Sequence, residues 1–150
     1  MKYSLADYTL SINIPQSLQA IFGQSFTIGG RDNATDSISV ELDNDQWSTE
    51  SYATGAYVHN KNYSRTGKVS ISMSQLNDAV AKLKRIGMKL YSGDYDGVTL
   101  SLDQAAIGKA NDGDVFTATD CYLIKIPAQE FGENAGKQTW TFTCGQITFK

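Results

Sequence analysis

The fold is decided by stretches such as Val69-Ser70-Ile71-Ser72-Met73, in which apolar residues alternate with residues that carry a hydroxyl. A period of two places successive side chains on opposite faces of an extended strand, so that one face is buried and the other is polar. The same alternation recurs in residues 8–14, 37–42 and 98–102. It predicts a mainly β protein built from half-buried strands.

Two longer segments, residues 115–126 and 137–149, are predicted to continue the β-structure. In the second segment the apolar residues up to Cys144 share one parity, whereas Ile147 and Phe149 have the other, which indicates a bend or bulge at Gly145. An antiparallel hairpin of the two segments would bring Cys121 close to Cys144. Both are predicted to be reduced thiols in the cytoplasm, and a disulfide formed later in an oxidising medium is left open.

One segment has a helical period instead. Ser74 is predicted to cap its amino end and Gly87 to end it. Its apolar stripe consists of Leu76, Ala79, Val80, Leu83 and Ile86, which recur at steps of three and four residues. The predicted fold class is therefore mainly β, with two packed antiparallel sheets in a β-sandwich or barrel-like arrangement and one flanking amphipathic α-helix.

Length and charge limit the classes of protein that fit. The chain has 150 residues, which predicts one domain, and its apolar runs are too short for a membrane-spanning segment. The net charge is -3, with acids concentrated in residues 31–60 and 92–120 and bases in residues 61–91. A protein that reads nucleic acid is expected to be basic overall, so this class is disfavoured. These charge blocks are either solvated loops and one solvated helix face, or opposite charges on different faces that favour stacking of like subunits.

Residues 43–68 have no clear period and are predicted to form a long extended loop. Loops of this length are usually functional or disordered, and aromatic rings argue against disorder because they contribute stability only when buried. The loop either folds back over its own core or docks on a neighbouring subunit. For docking, the predicted contact residues are Trp47, Glu50, Tyr52, Tyr57, His59 and Tyr63.

Groups that could carry out catalysis or hold a metal are scarce. His59 is the single histidine, so no imidazole pair is available for a metal site or a proton relay. The sequences Asp94-Tyr95-Asp96-Gly97 and Asn111-Asp112-Gly113-Asp114 lack the spacing of a calcium-binding EF-hand and are typical of turns. The chain is therefore predicted to have no catalytic residues, no metal and no cofactor.

Several short motifs together resemble the tail tube proteins of phages with contractile tails. They are Ser4-Leu5-Ala6-Asp7-Tyr8, Asp45-Gln46-Trp47-Ser48, Tyr63-Ser64-Arg65-Thr66-Gly67-Lys68-Val69, Glu130-Phe131-Gly132, Ala135-Gly136-Lys137 and Trp140-Thr141. They follow one another along the whole chain, which makes the likeness more specific than any single motif.

This resemblance implies a structural virion protein of the phage tail, synthesised and assembled in the host cytoplasm. It implies that six subunits close into a ring whose inner sheets form a continuous barrel. Stacked rings would form a hollow tube that carries DNA and the tape-measure protein without sequence-specific binding, inside a sheath.

The charge pattern adds an expectation about the channel of such a tube. A helix cannot line a β-barrel channel, so its cations face either outward or into a subunit contact. Lys82, Lys84 and Arg85 are the candidates for facing the sheath. The strands and turns that remain are acidic, and a wall that repels phosphate lets DNA slide. The candidates for the channel wall are Glu41, Asp96, Asp103, Asp114 and Asp120. Which strand parity faces the channel is left open.

Two other classes of protein fit the sequence. One is the ring subunit of a bacteriocin-like or secretion injection machine, which shares the fold. The other is a monomeric β-sandwich binding module, for instance for carbohydrate, with Trp47 and the loop tyrosines as a stacking platform. Size-exclusion chromatography with electron microscopy separates the module from the tube.

Overall fold

The computed structural model describes residues 8–29, 35, 37–104 and 116–149. Its strands are β1 Tyr8–Asn13, β2 Ser25–Gly29, β3 Ser37–Leu42, β4 Trp47–Ser51, β5 Tyr57–Lys61, β6 Gly67–Ser74, β7 Val98–Gln104, β8 Phe116–Leu123 and β9 Lys137–Phe149. Seven of them form one curled antiparallel sheet in the order β2-β1-β7-β8-β9-β6-β3, while β4 and β5 form a separate two-stranded sheet. The predicted mainly β fold with a flanking helix is confirmed.

One buried cluster holds the large sheet together. Each strand of the large sheet contributes its apolar residues to this cluster, from Ile28 in β2 at one edge to the partly buried Val40 in β3 at the other. The largest buried side chain among the described residues is that of Trp140, in the interior strand β9. Burial of a large apolar side chain contributes about 1.5–3 kcal/mol. Since both edges reach the same cluster, the sheet curls around its own core and leaves its other face polar.

Helix α2, Ala79–Tyr91, covers this core with a stripe made of Ala79, Val80, Leu83, Ile86 and Leu90. The predicted stripe is confirmed except at Leu76, whose side chain is 76% exposed. The predicted ends of the helix are wrong. Ser74 belongs to β6 and its hydroxyl accepts the N–H of Leu76, so the helix begins after a turn. Gly87 lies inside the helix, and glycine is required there by packing, since a Cβ would meet Leu123 Cδ1 at 2.9 Å.

The sequence patterns missed the segment between β1 and β3. After Pro15 the chain makes a 3-10 turn, Gln16–Leu18, and a single helical turn α1, Gln19–Phe22, before it returns as β2 beside β1. The Ile14 N–H donates to Gln24 O at 2.9 Å and closes this excursion. Elements this short carry too few residues to show a period of their own.

The predicted change of parity in β9 is confirmed, because the buried side passes from Cys144 to Ile147. The register between β8 and β9 stays continuous through this point, which places Asp120 opposite Gly145. The irregularity lies instead between β7 and β8, next to Asp120, which has a φ of 56°. The extra residue of the bulge is thus in β8, and β9 follows its twist.

Gly67 provides a test of how the edge strand β3 is held. A Cβ at this position would overlap Glu41 O and Ile147 Cδ1. We expect Gly67→Ala to lower the free energy of unfolding by about 1–3 kcal/mol, because overpacked sites relax only at the expense of their neighbours. Urea denaturation of the unassembled protein measures the change. Gly132→Ala is the matched control, since nothing lies within 4 Å of its Cβ position, and equal stability of the two variants would contradict this account.

Candidate functional site: the polar face of the sheet and the exposed hairpin

The face of the large sheet that points away from the core is covered with hydroxyl groups. Cross-strand registers place these residues in continuous rows, for example Ser39 beside Ser70 and Ser70 beside Thr141. Ser70 Oγ and Thr141 Oγ1 lie 3.2 Å apart in a hydrogen bond. The serine and threonine residues of this face are Thr9, Ser11, Ser25, Thr27, Ser37, Ser39, Ser70, Ser72, Ser74, Thr99, Ser101, Thr117, Thr119, Thr139, Thr141, Thr143 and Thr148. This polar face presents donors and acceptors with little fixed charge.

The predicted acids for the channel wall lie at separate places. Glu41 stands on the polar face as the register partner of Lys68, whose ammonium lies 3.5 Å from Asp43 Oδ1. Asp103 lies on the same face in β7, opposite Thr9. Asp96 and Asp120 are both exposed. Asp96 lies in the loop before β7, and Asp120 lies in β8 close to the start of β7. Asp114, like the Asn111–Asp114 turn motif, is outside the described residues.

A group of acids surrounds Tyr122 at the end of β8. The Tyr122 hydroxyl donates to Tyr95 O at 2.6 Å, and Asp120 accepts the N–H of Gly97 at 3.3 Å. Burial raises the pKa of the Tyr122 phenol, and the nearby carboxylates of Asp120 and Asp96 raise this pKa further because a phenolate would be repelled. The contact of Tyr122 thus connects the loop before β7 to the bulge in β8.

Residues 43–63, predicted to be loop, contain the β4-β5 hairpin instead. Its register pairs Trp47 with Lys61, Thr49 with His59 and Ser51 with Tyr57, so these residues share one face. Thr49 Oγ1 and His59 Nδ1 lie 2.8 Å apart.

Aromatic contacts tie this face of the hairpin together. The ring centroids of Tyr57 and His59 are 5.2 Å apart. The Lys61 ammonium lies 5.7 Å from the Trp47 ring and 5.0 Å from the Tyr63 ring, so one cation bridges two aromatic faces. Four of the six predicted contact residues are therefore brought together as the aromatic face: Trp47, Tyr57, His59 and Tyr63.

The other two predicted contact residues lie apart from the aromatic face. Glu50 pairs with Val58 on the opposite side of the hairpin, and the Tyr52 hydroxyl donates to Glu50 Oε2 at 3.5 Å. At the base of the hairpin an open polar cleft of about 490 Å³ is bordered mainly by Asn, Asp and Ser side chains.

Lys61 was missed by the sequence patterns, because a lone base in a polar stretch gives no signal until its register partner is known.

Both faces of the hairpin are open to solvent in the isolated chain. Each residue from 43 to 63 is exposed, and Tyr63 is 81% exposed. An isolated two-stranded hairpin is marginal in water, and exposed rings gain no burial energy. The hairpin therefore does not fold back over the core of its own chain, which was one of the two predicted alternatives.

The three predicted outward-facing cations of α2 differ in their surroundings. Lys82 Nζ lies 5.4 Å from the Phe26 ring of β2, so it packs against the sheet edge. Lys84 is half-buried and Arg85 is exposed. Helix α2 carries no acid, so its solvent-exposed face is basic.

Cys121 and Cys144 are direct register partners, as the hairpin prediction required. Both are buried free thiols, and Cys121 Sγ donates to Cys144 Sγ at 3.0 Å. This hydrogen bond and burial raise the pKa of the Cys121 thiol, whereas the same hydrogen bond lowers the pKa of Cys144. They pack as small apolar residues in the core.

Within the described ranges, no three histidine, cysteine, aspartate or glutamate side chains are close enough to hold a metal ion. In the same part of the chain, no helix has the length and apolar content needed to cross a membrane.

The fold is that of tube and terminator proteins of contractile injection systems. The chain is similar to a chain of the extended PVC sheath-tube complex, an extracellular contractile injection system, with a TM-score of 0.60, 6% identity, and coverage of 99% of this chain and 91% of that one. It is also similar to a chain of the PVC sheath/tube terminator in the extended state, with a TM-score of 0.57, 6% identity, and coverage of 100% and 97%. For the anti-feeding prophage cap, which terminates the AFP tube, the TM-score is 0.55, the identity 8%, and the coverage 100% and 93%.

The sequence narrows this class to phage tails. The family model described as bacteriophage PhiTE tail tube protein matches residues 2–150, and the chain belongs to this family. It is therefore a structural tube subunit of a phage tail, as the resemblance of its motifs predicted. A sequence search among curated proteins gives no match.

The contact of Tyr122 predicts an alkaline loss of stability. The folded state holds the phenol proton more tightly than the unfolded chain, so the stabilisation is complete below a pH of about 10 and is lost as pH rises through the raised pKa. We expect Tyr122→Phe to flatten the dependence of the unfolding midpoint on pH between about pH 9 and 12. Denaturation of the unassembled protein at several pH values measures it. Tyr91→Phe, at an exposed tyrosine, should keep the wild-type profile, and a Tyr122→Phe profile like that of wild type would refute the assignment.

Proposed function

We propose that the chain assembles into homohexameric rings that stack into the inner tube of a phage tail, the conduit for DNA during ejection. The observation that carries this proposal is the polar face of the large sheet. A sheet that buries one face in its own core and covers the other with hydroxyls suits the wall of a water-filled channel. The number of six subunits is what the family resemblance implies.

The open edges of the sheet support ring closure. Among the strands in the described ranges, β2 and β3 lie at the two ends of the order, so there each has one side without a partner strand in the large sheet. Unpaired backbone groups at an edge favour pairing with another chain. Repeating a head-to-tail contact between unlike edges gives a ring whenever the rotation closes.

The channel wall proposed here is rich in hydroxyls, and its few described charges are mixed, with Glu41 and Asp103 on the same face as Lys68 and Lys137. Asp103 on the polar face and Asp96 near its margin repel phosphate, so DNA passes without adhering. The tape-measure protein would occupy the same channel before ejection. Neither cargo needs a sequence-specific contact with this wall.

The hairpin is proposed to join stacked rings. Its aromatic face is built by register and cation–π contacts, yet it remains exposed in the single chain. Rings of this kind bury about 150–250 Å² each when a partner covers them. Docking on the next ring would supply that partner and would stabilise an otherwise marginal hairpin.

The basic outer face of α2 is proposed to meet the sheath. The solved PVC assembly is described as a sheath-tube complex, and the helix lies on the core side of the sheet, away from the polar face. Arg85 is the exposed cation best placed for such a contact, with Lys84 beside it, whereas Lys82 is engaged with Phe26.

Shortening the hairpin tests its role in stacking. Because Trp47 and Lys61 are register partners, replacing Ser48–Asn60 by Asn-Gly joins them with a two-residue turn. We expect a folded protein that forms single rings or short stacks but no long tubes, as judged by electron microscopy. A matched control, Ser48→Ala with Asn60→Ala, alters only the face opposite the aromatic one and should give normal tubes. Tubes of normal length from the shortened variant would rule out the stacking role.

Charge reversal tests the channel wall. We expect Asp96→Lys with Asp103→Lys to leave tube assembly intact and to slow DNA ejection, because cations on the wall bind phosphate and retard a sliding polyanion. Asp120 is avoided, since its carboxylate holds the Gly97 N–H. The neutral pair Asp96→Asn with Asp103→Asn is the control for side-chain size. The rate of DNA ejection is measured at low salt by the uptake of dye by the released DNA. An unchanged rate in the lysine variant would count against the proposed role of these acids in the channel wall.

A further inference from the structure

A groove of about 310 Å³ runs between the carboxyl-terminal half of α2 and the segment that follows β8. Its walls are mainly apolar, with Met88 and Tyr91 from the helix and Ile124 and Ile126 from the segment. Met88, Tyr91 and Ile124 are all exposed. Lys125 supplies a positive charge, and no acid lines the groove. A bulky apolar side chain next to carboxylates is the group that such a groove would bind.

A segment of that chemistry lies in the same chain, at Glu130-Phe131-Gly132-Glu133. The Phe131 ring is 88% exposed, the highest exposure among the large apolar residues described apart from Tyr91. Both glutamates are exposed, and residues 126–136 contain these two acids and no base. Neither the hairpin nor the polar face uses this motif.

The loop that presents Phe131 is anchored at both ends. Gln138 Nε2 donates to Gln129 Oε1 at 3.3 Å, before the exposed ring. After it, Gln75 Oε1 accepts the Gly136 N–H at 3.1 Å, and the Gln75 N–H donates to Gly136 O at 3.0 Å. Phe131 therefore projects from a fixed base, which lowers the entropy lost when it binds. It also stays out of the groove of its own chain.

We infer that Phe131, with Glu130 and Glu133, inserts into this groove of a second copy of the chain, where Lys125 faces the two carboxylates. Projection and groove are different surfaces, so the contact is head-to-tail and repeats from subunit to subunit. The inference rests on the proposed tube assembly and adds a contact distinct from the sheet edges and the hairpin.

Photo-cross-linking identifies what occupies the groove. With p-benzoylphenylalanine at position 131 of the full chain, irradiation of assembled tubes should link one chain to another, at a peptide that contains Met88 or Ile124. Mass spectrometry of the linked peptides reads this out. Links to the sheath, to another protein or to a different peptide of this chain would overturn the inference.

Assembly measurements test the energetics and the charge pairing. We expect Phe131→Ala to raise the critical concentration for tube formation at least about tenfold, as loss of a buried aromatic anchor does. Leu76→Ala, which truncates an exposed apolar side chain elsewhere, should leave it unchanged. Lys125→Glu alone and Glu130→Lys with Glu133→Lys should each weaken assembly, and the three substitutions together should restore most of it.

The outcomes separate this contact from the tube function itself. If wild-type protein fails to form tubes, the proposed function is wrong. If wild-type tubes form and Phe131→Ala assembles at the wild-type concentration, or the combined charge reversal restores nothing, the groove contact alone is overturned. Circular dichroism of the variants confirms folding, which a change at an exposed ring should not disturb.

Discussion

A β-strand presents two faces, and a single core can bury only one of them. In this chain the constraint is met by curling seven strands around one apolar cluster, closed by α2, so that all seven place their hydroxyl residues on the remaining face. The division between core and polar face then determines the other surfaces. The helix lies on the core side and so cannot reach the polar face, and the edges of the sheet stay open because the curl does not close. The surfaces proposed to be functional, namely the polar face, the sheet edges and the exposed side of α2, are those that the core does not bury.

Only part of this arrangement was accessible from the sequence. The alternation in β1, β3, β6 and β7 is strong because each strand has one core-facing parity, and it identifies both the strands and the residues that face away from the core. The change of parity at Gly145 was equally visible. The origin of this change could not be predicted, because the bulge lies in the neighbouring strand β8 at Asp120. The periodicity of one strand does not show how that strand is aligned with its neighbour. The prediction that Gly87 ends the helix is wrong for a similar reason. The packing contact that requires glycine there is with Leu123, which is distant in sequence.

The candidate site shows the same limit. The length, the aromatic rings and the charge gradient of residues 43–68 indicate a contact segment, and the structure assembles four of the six predicted contact residues on one face. The sequence could not separate Glu50 and Tyr52 from the other four, because the two sides of a segment are defined only when its strand pairing is known. The β4-β5 pairing places Glu50 on the side opposite the aromatic face. Lys61 gained its importance only through its position opposite Trp47. Summed charge predicts an acidic wall, but the register places Lys68 and Lys137 on the same face as Glu41 and Asp103, and hydroxyls are the main chemistry of the polar face.

The shortness of the two edge strands bears on how such a subunit avoids uncontrolled association before it is needed. Strands β2 and β3 have five and six residues, so one edge-to-edge joint forms few backbone hydrogen bonds and dissociates readily. In a closed ring every subunit is held by two joints, and the last joint forms between ends already held near each other, at a high effective concentration. Open chains of two or three copies would be short-lived, whereas the closed ring would persist.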